Sequence, residues 1–189
     1  MKRMSKALIL LLFHVVTASW STVFAEEVIQ SYHSEIEVFD NSDMWVTETI
    51  IVNAENKKIK RGIYRDFPLQ YKDRMGNHYR VSFKILQIRR NGQPERYHTK
   101  TIKNGIRIYI GESDRTVARG THRYQISYRT GRQLGYFQDY DELYWNVTGN
   151  DWDFPILQAS ASVKLPKTIQ AESIKLDGYT CPYGSKAKN

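Results

Sequence analysis

Apolar and polar residues alternate with a period of two through most of the chain. In "THRYQISYRT" (121–130), every second residue is Tyr, Ile or Tyr, and the residues between them are polar. The same alternation runs through "GIRIYIG" (105–111) and "LQASASVKL" (157–165). Strict alternation is typical of a β-strand with one buried and one solvent-facing side, whereas a helix repeats every 3.6 residues. These three segments are therefore predicted to be half-buried strands.

Two further parts of the chain extend the strand pattern. Segments 33–39 and 44–53 also alternate, and they are predicted to form a first antiparallel pair. In segment 78–88 the alternation shifts phase after Ile85, so that Leu86 takes up the apolar position. Such a shift predicts a β-bulge, or a strand that passes from one sheet to another.

The breaks between these segments carry turn residues. Asn91-Gly92 and Asn104-Gly105 are dipeptides that accept positive φ at both central positions of a hairpin. No segment has the period of a long amphipathic helix. We therefore expect an all-β fold, a sandwich of two antiparallel sheets with an immunoglobulin-like arrangement and about seven or more strands.

One charged residue interrupts the inward phase of a predicted strand. In "MWVTETIIVN", Glu48 is in register with aliphatic residues that should face the core. A buried carboxylate needs a partner, and an arginine can supply two parallel hydrogen bonds. The nearest downstream candidate is Arg65, so we predict a structural ion pair between Glu48 and Arg65. The alternative is that Glu48 lies near an exposed strand end and has no partner.

The N-terminal segment has the three-part layout of a secretory signal peptide. Three basic residues precede an apolar run from Ala7 to Val16, and small residues then lead to Ala25. We expect a signal peptide at 1–25 and export to the periplasm or to the outer face of the membrane. The alternative is an uncleaved anchor, although a membrane span needs about 18 to 20 apolar residues.

The rest of the chain is predicted to form one domain with a tail. We expect a β-sandwich domain at 26–166 and a loosely ordered C-terminal tail at 167–189, because the segment after Pro166 is rich in Lys, Ser, Gly and Thr. The single cysteine, Cys181, has no partner within the chain, so an intrachain disulfide is excluded. The stability of the domain must therefore come from packing.

The charge of the chain is only mildly basic after export. Cleavage would remove three basic residues and no acidic ones, which lowers the formal net charge of +8 by three. The densest basic cluster lies at 57–61. In an exported protein this cluster would meet lipid headgroups or anionic envelope polymers rather than nucleic acid, unless it is simply a solvated loop.

Several blocks of the sequence, taken in order, resemble a known family. The chain is similar to the N-terminal region of the bacterial predicted membrane proteins catalogued as domain of unknown function 2207, and the likeness covers nearly all of the expected mature chain. The "DELYWNVTG" and "RGIYR" blocks are its most specific parts. The matching blocks are "VTETIIV" (46–52), "RGIYRDFP" (61–68), "IRIYIGESD" (106–114), "THRYQISYRT" (121–130), "DELYWNVTGNDWDFPI" (141–156) and "ASVKLP" (161–166).

The resemblance implies an extracytoplasmic N-terminal domain without a known activity. Family members usually continue into transmembrane helices, so membrane anchorage is expected in longer relatives. This sequence stops at Asn189 before any such segment. We therefore expect it to act as a free domain whose partner is an envelope protein or cell-wall material.

The segment 139–156 carries most of the candidate chemistry. It concentrates carboxylates and large aromatic residues, which a glycan-binding or glycan-cleaving cleft uses, but a strand that enters a tight corner can have the same composition. The candidates are Glu142, Trp145, Asn146, Asp151 and Trp152. Because "ELYWNV" alternates, Trp145 is expected to point into the core between the sheets.

Two classes of function remain from the sequence. No zinc-binding His or Cys spacing and no nucleophile motif is present, so no catalytic residue, metal or cofactor is predicted. We favour a non-enzymatic binding, scaffold or sensor module of the cell envelope. The alternative is a carbohydrate-binding or glycan-cleaving domain that uses the 139–156 stretch, and hydrolysis would need two carboxyl groups about 5 to 9.5 Å apart.

Overall fold

The computed structural model describes residues 26–73 and 75–179, and within them the protein is all-β. The predicted signal peptide at 1–25 and Cys181 lie outside the described residues. In the described ranges, no helix is long and apolar enough to cross a membrane. The strands are β1 (Val28–Val38), β2 (Met44–Ala54), β3 (Ile63–Pro68), β4 (Gln70–Lys72), β5 (His78–Arg80), β6 (Ser82–Arg90), β7 (Gln93–Pro94), β8 (Tyr97–Ile102), β9 (Gly105–Ile110), β10 (Gly120–Gly131), β11 (Leu134–Tyr136), β12 (Asp141–Leu143) and β13 (Ala159–Lys164), followed by a short 3₁₀ turn (Ala171–Ser173).

Two sheets form the layers of a sandwich. The larger has six strands in the order β13-β1-β2-β10-β6-β7, and the smaller has three in the order β3-β9-β8. Buried residues of both sheets form one hydrophobic cluster, and the Phe67 ring of the small sheet lies 4.8 Å from the Tyr128 ring of the large one. This confirms the all-β, sandwich-like fold class. The immunoglobulin-like arrangement stays a prediction.

Most pairings are antiparallel, as predicted. Strands β1 and β2 pair along their length, from Val38 opposite Met44 to Val28 opposite Asn53, which confirms the predicted first antiparallel pair. The exception is β13, which runs parallel to β1. Two short hairpins, β4–β5 and β11–β12, lie outside the two main sheets.

The period-two pattern matches burial on the central strands. Along β2 and β10, every second residue is buried and the residues between them are more accessible. Burial of an aliphatic or aromatic side chain contributes about 1.5–3 kcal/mol, so one face of each strand determines how the sheets pack. Tyr124, Ile126 and Tyr128 are each at most 1% exposed, as the pattern of β10 predicts.

The predicted phase shift is confirmed as a β-bulge in β6. The register with β10 changes between Ser127 and Tyr128, which oppose Gln87 and Ile85. The expectation that Leu86 takes up the apolar position is wrong, because Leu86 is the extra residue of the bulge and is 47% exposed. A bulge lets Ile85 and Ile88 face the same side of the sheet although three positions separate them.

One of the two predicted turns is correct and the other is wrong. Asn91 and Gly92 have φ values of 50° and 81°, as the prediction requires. The second hairpin instead turns at residues 103–104, because Ile102 pairs with Gly105, and neither Asn104 nor Gly105 has a positive φ. A Cβ on Gly105 would lie 1.9 Å from a backbone carbonyl oxygen of β3, so the glycine is required by strand packing.

The prediction of a half-buried β13 is also wrong in part. The strand exists, but all six of its residues are exposed. Ala161 pairs with Ser34 of β1, which is buried, yet Ala161 itself is not covered. The residues of β13 stay exposed because β13 is an edge strand and has only β1 beside it in the sheet.

Candidate functional site

The buried charges lie between the two main sheets. Glu48 is on the core face of β2 and is 0% exposed, and Arg65 is on the core face of β3 and is 4% exposed. Arg65 Nη2 donates to Glu48 Oε1 at 2.8 Å, and Arg65 Nε donates to Glu48 Oε2 at 2.9 Å. The structure thus joins the two residues predicted as partners in a two-bond pair, which is the strong form of this contact.

Two tyrosines complete the network around the pair. Tyr128 donates its hydroxyl proton to Glu48 Oε1 at 3.0 Å, and Arg65 Nε also lies 3.0 Å from the Tyr32 hydroxyl oxygen. Burial raises the pKa of both tyrosine hydroxyls well above their ordinary range, so both stay neutral. Burial would lower the pKa of Arg65, but the attraction of Glu48 raises it further above its usual range. The guanidinium therefore keeps its charge in the core.

The guanidinium is enclosed on its remaining sides. Its carbon lies 4.5 Å from the centre of the Phe67 ring, and Nη1 donates to the Asp66 carbonyl oxygen at 2.6 Å. A Cβ built on Gly149 would lie 2.0 Å from Nη1. Gly149 also has a φ of +71°, which glycine adopts without strain. The loop that contains Gly149 therefore covers the buried cation directly.

This cover belongs to the acidic and aromatic stretch singled out in the sequence. Ser34 donates to the Val147 carbonyl oxygen at 3.1 Å, which fixes the loop to β1. Trp152 Nε1 donates to the Thr148 carbonyl oxygen at 2.8 Å, and its ring meets the Tyr32 ring edge-on at 6.0 Å. Trp152 therefore packs onto the buried network.

Asn146 shapes the same loop. Its Oδ1 accepts from the Gly149 backbone N–H at 3.0 Å, and its Nδ2 donates to Asn150 Oδ1 at 2.9 Å. Asn side chains commonly stabilise turns in this way. Asn146 and Trp152 thus hold Gly149 against Arg65.

The candidate carboxylates do not join this arrangement. Glu142 is exposed on the β11–β12 hairpin, and Asp151 is an exposed loop residue with a φ of +64°. Two surface cavities, of about 190 and 50 Å³, are formed by described residues, and neither Glu142 nor Asp151 lines them. In the described ranges, no group of three or more His, Cys, Asp or Glu residues is placed to hold a metal.

Trp145 lies at the rim of the core. The predicted phase is correct, since Leu143 and Trp145 are partly buried while Glu142 and Tyr144 are exposed. Trp145 packs against the hydrophobic cluster, as its predicted direction requires, but it is only partly buried. Its Nε1 is enclosed without a hydrogen-bond partner among the described residues.

The comparison with protein families confirms the resemblance found in the sequence. The sequence matches the family described as "Predicted membrane protein (DUF2207) N-terminal domain" over residues 28–188. The chain belongs to this family. The match includes the strands that carry the buried pair and the loop that covers it.

One curated relative of this DUF2207 N-terminal domain comes from Escherichia coli K12. It is the uncharacterized protein YciQ, which is 29% identical over 192 residues. The alignment covers 97% of this chain and 30% of YciQ, so the chain spans about a third of that relative's length.

Solved structures resemble the domain only weakly. Native yeast LTA4 hydrolase matches with a TM-score of 0.42 and 12% identity, over 57% of this chain and 15% of that one. An M1 zinc metallopeptidase from Deinococcus radiodurans matches with a TM-score of 0.37 and 17% identity, over 57% and 21% of the two chains. These likenesses carry no information about the function of the DUF2207 domain.

Besides Glu48, a second carboxylate is buried and hydrogen-bonded, that of Glu27, and it was not predicted from the sequence. Glu27 is 8% exposed, and its carboxylate accepts four backbone N–H bonds of 2.7 to 3.1 Å from the β2–β3 loop. Burial raises the pKa of Glu27, but the four N–H donors together bring it below the ordinary value. No sequence pattern indicates such a contact, because its donors are main-chain N–H groups about thirty residues away.

The outer face of the small sheet carries a set of stacked aromatic and cationic side chains, of which His98 is exposed and the others are partly buried. We call Tyr64, His98, Arg107 and Tyr109 the aromatic strip. The His98 and Tyr109 rings stack at 4.8 Å and 8°, and the Arg107 guanidinium lies 4.1 Å from the centre of the Tyr64 ring. Asp66 holds Arg107 with two hydrogen bonds of 2.7 Å. The alternation of "GIRIYIG" places Arg107 and Tyr109 on the outer face, but it does not reveal their stacking.

The aromatic strip continues into the smaller of the two cavities. Tyr64 donates to Asp153 Oδ2 at 3.0 Å, and both residues line the cavity of about 50 Å³. Trp152, Phe154 and Lys58 also line it. The outer face of the small sheet and this shallow cavity therefore form one continuous surface.

Proposed function

We propose that this chain is an exported, non-enzymatic binding module of the bacterial cell envelope. The observation that carries the proposal is the contact of Gly149 with Arg65. It assigns the acidic and aromatic stretch a structural role, since this loop closes the core over a buried cation. The surface that we propose for binding is the aromatic strip with its adjoining cavity.

The chemistry of the aromatic strip fits a polymer that carries sugar rings. Planar aromatic groups stack against the apolar faces of sugars, and this one is ordered in advance by the Arg107–Asp66 pair. His98 is the exposed outer member of the stack. Cell-wall glycan is therefore the partner that we propose.

Binding can be tested with a matched pair of histidine variants. The wild-type protein would be titrated with peptidoglycan fragments while tryptophan emission is followed. His98→Ala should weaken binding several-fold, because ring stacking contributes about 0.5–1.5 kcal/mol. His78→Ala is the control, since His78 is also exposed but lies on the β4–β5 hairpin. An equal effect of both variants, or no saturable binding, would contradict the proposal.

The enzymatic alternative is tested by two conservative changes. Glu142→Gln and Asp151→Asn should each change stability by no more than about 0.5 kcal/mol, because both residues are exposed. Asparagine also tolerates the positive φ of Asp151. Release of reducing ends from glycan substrates that disappears in Asp151→Asn, with stability unchanged, would overturn the non-enzymatic assignment.

Export is tested separately from binding. The intact mass of the protein recovered from outside the cytoplasm should correspond to a chain that begins at Glu26. A product that retains residues 1–25 would contradict signal cleavage and would favour an anchored domain.

A further inference from the structure

The β2–β3 loop presents four positive charges on an ordered backbone. Ile59 is 1% exposed and anchors the middle of the loop in the core. The residues around it are exposed and basic, and we call them the basic loop: Lys57, Lys58, Lys60 and Arg61.

Glu27 holds this loop in place. Its carboxylate accepts the backbone N–H groups of Glu55, Lys57, Lys58 and Ile59. Fixing the backbone before binding removes part of the entropy cost of binding. The four cationic side chains therefore start from a defined backbone instead of a mobile one.

The charge of the basic loop is not neutralised locally. Within the described ranges, no salt bridge involves any of its four residues. Two arginines at this end of the sandwich are neutralised, since Arg90 pairs with Glu95 and Arg96 pairs with Glu112. The basic loop differs from them in concentrating four neighbouring cationic side chains without a salt bridge.

The basic loop lies at the end of the domain where the described chain begins. Asn53 Nδ2, just before the loop, donates to the Glu26 carbonyl oxygen at 2.9 Å. If residues 1–25 act as the proposed signal peptide, whose apolar run is 7–16, this end would be the one nearest the bilayer during export. Lys58 Nζ also lies 5.9 Å from the Phe154 ring, next to Trp152 in the small cavity. Lysine beside aromatic residues is typical of surfaces that meet the membrane interface.

We propose that the basic loop docks this domain on the surface of an anionic phospholipid bilayer. The lipid phosphates would pair with the four cationic side chains, which have no salt-bridge partner among the described residues. Each Lys or Arg near an anionic membrane strengthens binding by about fivefold, and four such residues act together when the backbone holds them on one side. The argument for this docking does not rest on glycan binding at the aromatic strip, although Lys58 borders both surfaces.

The proposal is tested by sedimenting the exported chain, residues 26–189, with vesicles, so that the apolar run 7–16 cannot contribute. Vesicles of equal parts phosphatidylglycerol and phosphatidylcholine should bind the protein, and vesicles of phosphatidylcholine alone should not. Replacing all four basic-loop residues with Gln should lower the partition coefficient by more than about a hundredfold. Binding should also fall as salt is raised, because the Debye length is only about 3 Å at 1 M.

The control variant removes the same charge from the other end of the domain. It replaces four exposed lysines with Gln: Lys72, Lys84, Lys100 and Lys103. This variant should lose only a few-fold in binding, and an unchanged urea midpoint would verify folding of both variants. Equal losses in the two variants would overturn the proposal, because net charge alone would then explain binding. Absence of binding to the anionic vesicles would overturn it as well.

Discussion

Replacing Arg65 with alanine is expected to destabilise the domain by about 3–5 kcal/mol, because it leaves a buried charge without its partner. Glu48 would stay fully enclosed, with only neutral tyrosine hydroxyl groups, those of Tyr128 and Tyr32, beside it in place of the guanidinium. Glu48→Ala should cost a similar amount, since it strands the guanidinium beside Tyr32. Either loss is a large share of the ~5–15 kcal/mol that stabilises a typical domain.

The double variant separates pairing from simple loss of packing. Once both charges are gone, neither must be buried alone, so Glu48→Ala with Arg65→Ala should cost clearly less than the sum of the single changes. We expect an interaction energy of about 2–3 kcal/mol from the two direct hydrogen bonds. The double variant is still destabilised, because a cavity remains beneath Gly149.

The four proteins of the cycle would be compared by urea unfolding, with tryptophan emission and circular dichroism as two probes. Coincident transitions from both probes are needed for two-state free energies. Additivity within about 0.5 kcal/mol would refute the coupling between Glu48 and Arg65. If an alanine variant fails to fold, Glu48→Gln and Arg65→Lys give a milder cycle, because each preserves part of the hydrogen bonding.

Three further predictions concern Gly149 in the loop over Arg65, Trp145 at the rim of the core, and Glu27, whose carboxylate holds the β2–β3 loop. Gly149→Ala should destabilise by about 3 kcal/mol or more through its clash with Arg65, whereas Gly76→Ala, which has a similar φ but open space, should cost about 1 kcal/mol in urea unfolding. Trp145→Ala should cost about 1–3 kcal/mol by the same assay, and a cost near 5 kcal/mol would mean that Trp145 is fully buried. Because hydrogen bonding lowers the pKa of Glu27, its contribution is present above pH 4.5 and is lost as the pH falls below that value, so Glu27→Gln should flatten the acid limb of a stability–pH profile. Parallel profiles would contradict a clamped carboxylate.

The sequence predicts the strand faces well because each central strand has one buried side. Burial of that side costs little for apolar residues and much for an unpaired charge, so Glu48 among aliphatic neighbours indicates a partner. Arg65 is the downstream candidate for that partner, and the structure places the two in contact. The bulge at Leu86 is predictable for the same reason, since it restores the buried phase.

The failures have a common cause, which is tertiary position. The pattern of β13 does not reveal that it is an edge strand, so its apolar residues are exposed. The turn at 103–104 is selected by the close approach of Gly105 to β3 rather than by the Asn-Gly dipeptide. The role of Glu27 is not predictable from the sequence, because its partners are backbone N–H groups, which every residue except proline possesses.

The composition of the 139–156 stretch follows from what it covers. A buried guanidinium is costly to desolvate, so the segment above it must approach closely and exclude water. Close approach requires the glycine at 149, and the reversed backbone around it favours Asn146 and Asp151, which form turns or accept positive φ. Trp152 excludes water from Tyr32.

A cover of this kind uses the same residue types as a glycan site, and the two are distinguished by whether the aromatic faces are open to solvent or packed inward. At Trp152 the edge contact with Tyr32 and the hydrogen bond to the Thr148 carbonyl oxygen take up the inward side, so the ring serves packing.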